Sequence, residues 1–148
     1  MLRIQLICVG KLKERFYIDA CDEYFKRLQR YCALERAELP ETGDLERDGA
    51  AVLSRIPAGS FVVALCVEGE AFSSEELAEL LSEQTLRGKS RVTFVIGGSD
   101  GLSDAVKKAA DVRLSMSRMT FPHHLARVMV LEQIYRAFNI LGGGKYHK

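Results

Sequence analysis

The sequence predicts an α/β domain built on a mainly parallel sheet with helices on both faces. Short apolar runs rich in β-branched residues alternate along the chain with longer segments whose apolar residues recur at helical spacing. The chain has 148 residues, the size of one ordinary domain, and shows no repeat, low-complexity segment or linker. We therefore expect a single domain over residues 1–148.

Five segments have the composition of strands. They are predicted at Leu2–Val9, Ala33–Leu39, Phe61–Val67, Arg91–Ile96 and Val112–Leu114. The third and fourth are almost wholly apolar, as expected of strands buried on both faces of a parallel sheet. Glycine or proline follows three of the five segments and marks where the chain turns.

Five further segments have the period of an amphipathic helix. They are predicted at Glu14–Arg30, Leu45–Ile56, Ser73–Leu86, Ser103–Ala110 and Pro122–Leu141. Pro57 ends the second helix, and the run Ser73-Ser74-Glu75-Glu76 opens the third as a capping box. The stretch Glu41–Asp48 has little pattern, and we expect a surface loop and helix entry there.

The composition limits the classes of function. Hydrophobic residues make up 47% and charged residues 28%, there is no apolar run of membrane-spanning length, and the N-terminus lacks the form of a signal peptide. A cytoplasmic protein with no membrane association is therefore expected. The net charge of +1 gives no general basic field, so a nucleic-acid partner requires a local basic patch or another macromolecule.

The cysteines and histidines do not have the spacing of a metal site. The four cysteines form no C-x-x-C pair, and Cys8 and Cys66 lie in apolar strand-like runs, where a free thiol packs as a small hydrophobe. His123 and His124 are adjacent in sequence, which is a poor spacing for two ligands of one ion. We expect buried thiols and no metal.

Three loops at predicted strand ends carry the candidate chemistry, because parallel α/β sheets bind ligands beyond the carboxyl ends of their strands. They are Glu68-Gly69-Glu70, the glycine loop Gly97–Gly101, and the third loop Ser115–His124. The glycine loop is neither G-x-G-x-x-G nor a Walker A motif, and its pattern fits a tight turn or a close backbone approach to a cofactor. An NAD site is disfavoured because no acidic residue that could bind the ribose 2′-OH follows about twenty residues later in a second βαβ unit.

The third loop is long for a compact domain, and such loops tend to be functional. Met116, Met119 and Phe121 suit an adenine or a thioether, and equally suit packing under the helix. Ser117 and Thr120 offer hydroxyls to a ligand or to the local backbone. His123 and His124 follow Pro122 at a helix start, a position that favours neutral imidazole.

The last helix and the tail complete the pattern. The helix is apolar nearly all round, which indicates a subunit interface in a chain of this length, and it is interrupted by Arg127, Glu132 and Arg136. Glu132 and Arg136 have the spacing of an ordinary i,i+4 pair. Arg127, near the third loop, is the stronger functional candidate. Three glycines and Lys145 then lead to Tyr146-His147-Lys148, which suits anion binding and proton handling if a cleft holds it.

Taken together, these segments resemble the RlmH family of bacterial large-subunit ribosomal RNA pseudouridine methyltransferases, which belong to the SPOUT superfamily. The resemblance rests on VGKLKE, EYFKRL, FVIGGSDGLS, LSMSRMTFPHHLARVMVLEQIYRAFNI and the terminal YHK, in order over essentially the whole chain. It implies a C-terminal trefoil knot, a homodimer through the last helix, and a cofactor pocket near that interface. Many members end in Tyr-His-Arg, and the lysine here keeps the charge without the bidentate fork.

The resemblance also implies the reaction and its residues. The methyl donor S-adenosylmethionine is expected to contact Leu65, Gly97, Gly98, Met116, Ser117, Arg118, Met119, Thr120 and Phe121. The acceptor is N3 of a pseudouridine in 23S ribosomal RNA, whose proton must leave, so His147 is the candidate base or positioning group. Tyr146 is expected to stack on or hydrogen-bond to the base, and Lys148 and Arg118 to hold phosphates. The near-neutral charge favours an assembled ribosome as the substrate over naked RNA.

Three alternatives remain at this point. The chain could be a SPOUT enzyme that acts on transfer RNA or another base. It could be a non-catalytic ribosome-binding factor that keeps the fold, or a flavodoxin-like nucleotide binder.

Overall fold

A computed structural model describes all 148 residues of the chain. The strands are β1 (Arg3–Val9), β2 (Ala33–Leu39), β3 (Phe61–Ala71), β4 (Arg91–Ile96) and β5 (Val112–Ser115). The helices are α1 (Arg15–Leu28), α2 (Leu45–Arg55), α3 (Ser74–Leu86), α4 (Asp104–Ala109) and α5 (His123–Leu141). The order of strands and helices is the predicted one, and the expected α/β architecture is confirmed.

The five strands form one parallel sheet in the order β2-β1-β4-β3-β5. The flavodoxin-like order is 2-1-3-4-5, so the position of β4 between β1 and β3 counts against that alternative. Because every strand runs the same way, all five carboxyl ends meet at one edge of the sheet. The loops after β3, β4 and β5 are therefore neighbours in space although they are far apart in sequence.

Two hydrophobic clusters cover the two faces of the sheet. Along β1, Ile4, Leu6 and Cys8 belong to the cluster under α1, α3 and α5, whereas Ile7 and Val9 belong to the cluster under α2 and α4. This alternation follows from the two-residue period of a strand. The near-continuous apolar character of the central strands therefore reflects burial on both sides, as the sequence predicts.

Local signals fix several element ends. Ser73 caps α3 by accepting from the Glu76 N–H, while the Glu76 side chain accepts from the Ser73 N–H, which confirms the predicted capping box. Asp44 caps α2 by accepting from the Glu46 and Arg47 N–H groups, both at 3.1 Å. No helix is long and apolar enough to cross a membrane.

The prediction that Glu68-Gly69-Glu70 is a loop was wrong, because β3 continues to Ala71. Leu114 of β5 pairs both with Leu65 and with Glu70, so the residues between them form an irregular excursion within the strand. A side chain at Gly69 would collide with the backbone of Arg113 and Leu114. Pairing with β5, which lies more than forty residues away, overrides the local turn signal.

Three of the four thiols are buried as expected, and burial raises the pKa of Cys8 and that of Cys32 to about 12. Cys66 is only partly buried, because it lies beyond the point where β3 and β5 first pair. The stretch Glu41–Asp48 is the expected loop and helix entry, since α2 begins at Leu45. The buried Asp48 carboxylate accepts from both the N–H and the hydroxyl of Thr42, the latter at 2.6 Å.

A matched pair of substitutions in α3 tests this packing. Leu81 is 1% exposed and Leu86 is 85% exposed, so the same truncation removes core contacts at one position only. We expect Leu81→Ala to lower the free energy of unfolding by about 2–5 kcal/mol. Leu86→Ala should change it by less than about 0.5 kcal/mol. Urea denaturation at one protein concentration measures both, and equal losses would contradict the packing described.

Candidate functional site

A cleft of about 640 Å³ opens beyond the carboxyl ends of β3, β4 and β5. It is formed by the end of β3, the glycine loop after β4, the third loop after β5 and the first turn of α5. Eight of the nine residues expected to contact a cofactor line it, namely Leu65, Gly97, Gly98, Met116, Ser117, Met119, Thr120 and Phe121. The ninth, Arg118, is exposed and does not line the cleft.

The glycine loop requires its glycines for steric reasons. A side chain at Gly97 would overlap the backbone of Gly101, with which the loop closes through an isolated bridge between Gly98 and Gly101. A side chain at Gly98 would overlap the Glu41 carboxylate. Gly101 has a φ of +80°, which favours glycine. The tight turn suggested by the sequence is therefore present, and the close contacts of Gly97 and Gly98 are with Gly101 and Glu41 of the chain itself. The close approach to a cofactor stays a prediction.

Glu41 is a residue of this site that the sequence analysis missed. It follows β2, and its carboxylate accepts from the Ser99 N–H at 2.8 Å and from the Ser99 hydroxyl at 2.7 Å. These hydrogen bonds hold the pKa of Glu41 below its usual range. The sequence did contain a signal for Glu41. It is an acidic residue just after a predicted strand, and the glycine loop also follows a predicted strand.

The third loop is held by its own hydroxyl groups. The Ser115 hydroxyl donates to the Ser117 carbonyl at 3.0 Å, and the Met119 N–H donates to the Ser117 hydroxyl at 3.0 Å. Met119 is 73% exposed, whereas Met116 also packs against the larger hydrophobic cluster. The two methionines therefore differ, since Met116 forms part of the floor of the cleft and Met119 stands at its rim.

The first residues of α5 connect the cleft to the β1–α1 connection. His123 lines the cleft, and burial, followed by the neighbouring His124 ring, lowers its pKa, in keeping with the neutral imidazole expected there. The His124 Nδ1 atom lies 3.2 Å from Glu14 Oε2. No group of three or more histidine, cysteine or acidic side chains is arranged to hold a metal ion.

Arg127 has a structural position. Its side chain is buried, donates to Glu38 Oε2 at 2.6 Å and also donates to the carbonyls of Val9 and Gly10. These bonds join α5 to the carboxyl ends of β1 and β2. Arg127 does not line the cleft, so the functional role favoured by the sequence is replaced by that of a tie between helix and sheet.

The tail is ordered, and it packs on the second half of α5. The Tyr146 hydroxyl donates to Glu132 Oε2 at 2.7 Å, and the Tyr146 ring meets the Tyr135 ring edge-on at 4.9 Å. The bond to Glu132 is the main reason that the pKa of Tyr146 rises to about 12. Burial acts to raise the pKa of Glu132, but hydrogen bonds from Arg136 and Tyr146 outweigh it and leave that pKa lowered.

Both ring nitrogens of His147 are occupied. Nδ1 lies 3.0 Å from Arg136 Nη1, and Nε2 lies 2.6 Å from Glu75 Oε1. Because a guanidinium only donates, Nδ1 is the acceptor, and Nε2 carries the proton that it donates to Glu75. Lys148 is exposed and has no ion pair. The Glu132–Arg136 pair is therefore part of a five-residue cluster with Glu75, Tyr146 and His147.

The tail cluster and the cleft are at different places on the same chain. His123 lines the cleft and Arg136 holds His147, and these two residues are thirteen positions apart, about 20 Å along the helix. None of Tyr146, His147 and Lys148 lines the cleft. The sequence placed the tail at the cofactor pocket, and within one chain the two groups of residues are not brought together.

The contact between Glu41 and the glycine loop gives a pH-dependent prediction. Because the pKa of Glu41 is lowered, the contact is complete above the usual value of about 4.3 and is lost as the pH falls through the lower value in the folded chain. We expect the NMR chemical shift of the Ser99 amide proton to change in a step at a pH below about 4.3, as Glu41 takes up its proton. That step should vanish in Glu41→Gln and persist in the control Glu46→Gln. Its survival in Glu41→Gln would contradict the contact.

Comparison with known proteins identifies the family. The family described as "Predicted SPOUT methyltransferase" matches residues 2–147. Ribosomal RNA large subunit methyltransferase H of Clostridium acetobutylicum is 49% identical, with 99% of this chain and 100% of that protein covered. The protein of the same name from Streptococcus sanguinis is 45% identical with the same coverage.

Solved structures support the same fold at much lower identity. A probable methylase family protein from Haemophilus influenzae is 16% identical, with a TM-score of 0.58 over 99% of this chain and 70% of that one. A tRNA (m1G37) methyltransferase from Aquifex aeolicus is also 16% identical, with a TM-score of 0.55 over 91% of this chain and 69% of that one. The chain belongs to the SPOUT methyltransferases and, among them, to the family of ribosomal RNA large subunit methyltransferase H.

Proposed function

We propose that the protein transfers a methyl group from S-adenosylmethionine to N3 of a pseudouridine in 23S ribosomal RNA, within assembled ribosomes in the cytoplasm. The observation that carries this proposal is the cleft. It gathers eight of the nine residues expected to bind the cofactor. The chain also matches proteins named ribosomal RNA large subunit methyltransferase H over its whole length.

The cleft suits S-adenosylmethionine in size and chemistry. Its volume lies within the range of about 300–1,000 Å³ typical of small-molecule sites. Gly97 and Gly98 permit close approach to the backbone, and Leu65, Met116 and Phe121 offer an apolar, adaptable surface for an adenine and a thioether. When bound, S-adenosylmethionine supplies an electrophilic methyl group on a sulfonium sulfur.

The chain must then orient the acceptor nitrogen and remove its proton. N3 of pseudouridine is an imide nitrogen, and attack on a methyl group requires its lone pair. We propose that His147 accepts this proton and that Tyr146 positions the base. In the structure both His147 nitrogens are bonded, to Arg136 and Glu75, so one of these bonds must open before the ring acts as a base.

We propose that the tail serves the cleft of a second copy in a homodimer. The support is the separation along α5 between the cleft and the tail cluster of one chain, about 9 Å from Ala126 to Glu132 and about 20 Å from His123 to Arg136. The apolar side chains of α5 that remain only partly buried provide a surface for pairing two chains, and they include Leu125, Val128, Met129, Tyr135 and Phe138. A symmetric pairing of these helices in opposite directions would bring the tail of each chain toward the cleft of the other.

We also propose that the C-terminal region is threaded as a trefoil knot. The observation in support is the irregular pairing of β3 with β5, in which Leu114 pairs with both Leu65 and Glu70. The tight contact of Gly69 with the Arg113 and Leu114 backbone agrees with a chain segment passing closely at this point.

The reaction is tested with tritiated S-adenosylmethionine and ribosomes from a strain that lacks the enzyme. We expect label in 23S ribosomal RNA, at a pseudouridine, when the modified nucleotide is mapped by mass. Free 23S ribosomal RNA should be a poor substrate, because the chain has a net charge of only +1 and little general attraction for RNA. Label confined to transfer RNA would support another SPOUT activity, and absence of cofactor binding would support a non-catalytic ribosome-binding factor.

Subunit complementation tests the composite site. A side chain at Gly98 would overlap the Glu41 carboxylate that holds Ser99, so Gly98→Val should deform the glycine loop in the cleft of its own chain. His147→Ala removes the tail base of its own chain, so each variant alone should be inactive. In a mixture of refolded or co-expressed chains, heterodimers have one intact cleft served by one intact tail. We expect about one quarter of the wild-type single-turnover methylation, from random pairing of two chains.

If each tail serves the cleft of its own chain, the mixture should stay inactive. Every chain in it then carries either an altered cleft or an altered tail. Circular dichroism of each variant establishes that both are folded. Unchanged methylation by His147→Ala alone would contradict the role of the tail.

A further inference from the structure

The connection between β1 and α1 exposes an aromatic ring. Phe16, in the first turn of α1, is 67% exposed, and its one close ring neighbour is Tyr17, with centroids 4.4 Å apart. Burying a phenylalanine side chain contributes about 1.5–3 kcal/mol, and Phe16 does not obtain it in the folded chain. A free aromatic face at this position is available to a ligand.

The segment just before this ring carries positive charge. Lys11 and Lys13 are exposed and form no ion pair. The nearby acidic residues are already engaged, since Glu14 contacts His124, Asp19 pairs with Arg15 at 3.2 Å, and Glu38 pairs with Arg127. The first turn of α1 contains no acidic residue, and Glu14 at its N-cap makes no side-chain cap hydrogen bond.

The same connection lies beside the cleft. Gly10, the first residue after β1, comes close to the ring of His123, which lines the cleft. Glu14 contacts His124, and the Tyr17 ring meets the His124 ring edge-on at 6.2 Å. The segment that carries Lys11, Lys13 and Phe16 therefore starts beside the cleft, at Gly10.

We propose that Lys11, Lys13 and Phe16 form an RNA-docking surface, with the two lysines on backbone phosphates and the Phe16 ring stacked on an unpaired base next to the target. This inference rests on the proposed function and names the surface that selects its substrate. Lysines contact phosphates without reading sequence, and exposed aromatic rings bind the faces of unstacked bases. A protein partner would require a broader apolar patch than one ring among cations.

This surface also explains how a chain of low net charge could bind RNA. A net charge of +1 gives weak general attraction to RNA, but two unpaired lysines beside the reactive cleft concentrate the attraction where docking is needed. Specific docking on an assembled ribosome and weak binding to naked RNA are then compatible.

Kinetics with ribosomes test the proposal. Base stacking on an aromatic ring contributes about 1–3 kcal/mol, so Phe16→Ala should raise KM for ribosomes about 5- to 150-fold. The double variant K11A/K13A should raise KM and reduce the slope of log affinity against log salt concentration by about 1–2. Calorimetry should show unchanged affinity for S-adenosylmethionine in both.

Matched controls lie at the opposite edge of the sheet. Leu86→Ala truncates an even more exposed apolar side chain at the end of α3, and K26A/K89A removes two exposed lysines at the end of α1 and before β4. Neither control should change KM. Equal KM values for the test and control variants would overturn the proposal.

Photo-cross-linking identifies the class of partner. With p-benzoylphenylalanine incorporated at position 16, we expect cross-links from the bound enzyme to 23S ribosomal RNA. Cross-links confined to a ribosomal protein would overturn the RNA assignment in favour of a protein-docking surface. Co-sedimentation of the variants with ribosomes reports docking without methyl transfer, so failure of this surface is distinguishable from failure of the proposed reaction.

Discussion

The carboxyl edge of the sheet, where the cleft lies, depends on the hydrogen bonds by which Arg127 joins α5 to the sheet. The buried guanidinium bonds to Glu38 and to the carbonyls of Val9 and Gly10, at the ends of β1 and β2. A buried charge is stable only when it is paired and hydrogen-bonded, and this requirement fixes the start of α5 against the carboxyl edge. The position of His123 in the cleft, the contact of His124 with Glu14 and the course of the β1–α1 connection follow from it.

The cleft is built by close backbone packing more than by polar side chains. Gly97 lies too close to the Gly101 backbone, and Gly98 too close to the Glu41 carboxylate, to carry a side chain. Glu41 holds Ser99 from a different strand end, and the third loop is held by the Ser117 hydroxyl. Such a site fixes its shape before a ligand arrives, which is the condition for aligning a nucleophile with a methyl group. The reactive side chains proposed for proton transfer are held elsewhere, in the cluster of Glu75, Glu132, Arg136, Tyr146 and His147.

We propose separate functions for three regions of this small chain. The cleft suits the methyl donor, the tail cluster suits the acceptor base, and the β1–α1 connection suits the RNA around it. The helix α5 spans the first two regions, and its partly buried apolar face suits pairing with a second chain. In the proposed dimer, the cleft of one chain and the tail cluster of the other form one reaction site.

The sequence by itself determined the order and type of all ten elements, the capping box of α3, and the loops that form the cleft, because periodicity and turn residues are local properties. Only the tertiary structure decided that β3 continues past Glu68, since pairing with β5 outweighs the turn signal of Gly69. It also placed Glu41 on the glycine loop, left Arg118 exposed, buried Arg127 and held the tail about 20 Å along α5 from the cleft. These outcomes depend on contacts between residues far apart in the chain, where no local pattern records which partners will meet.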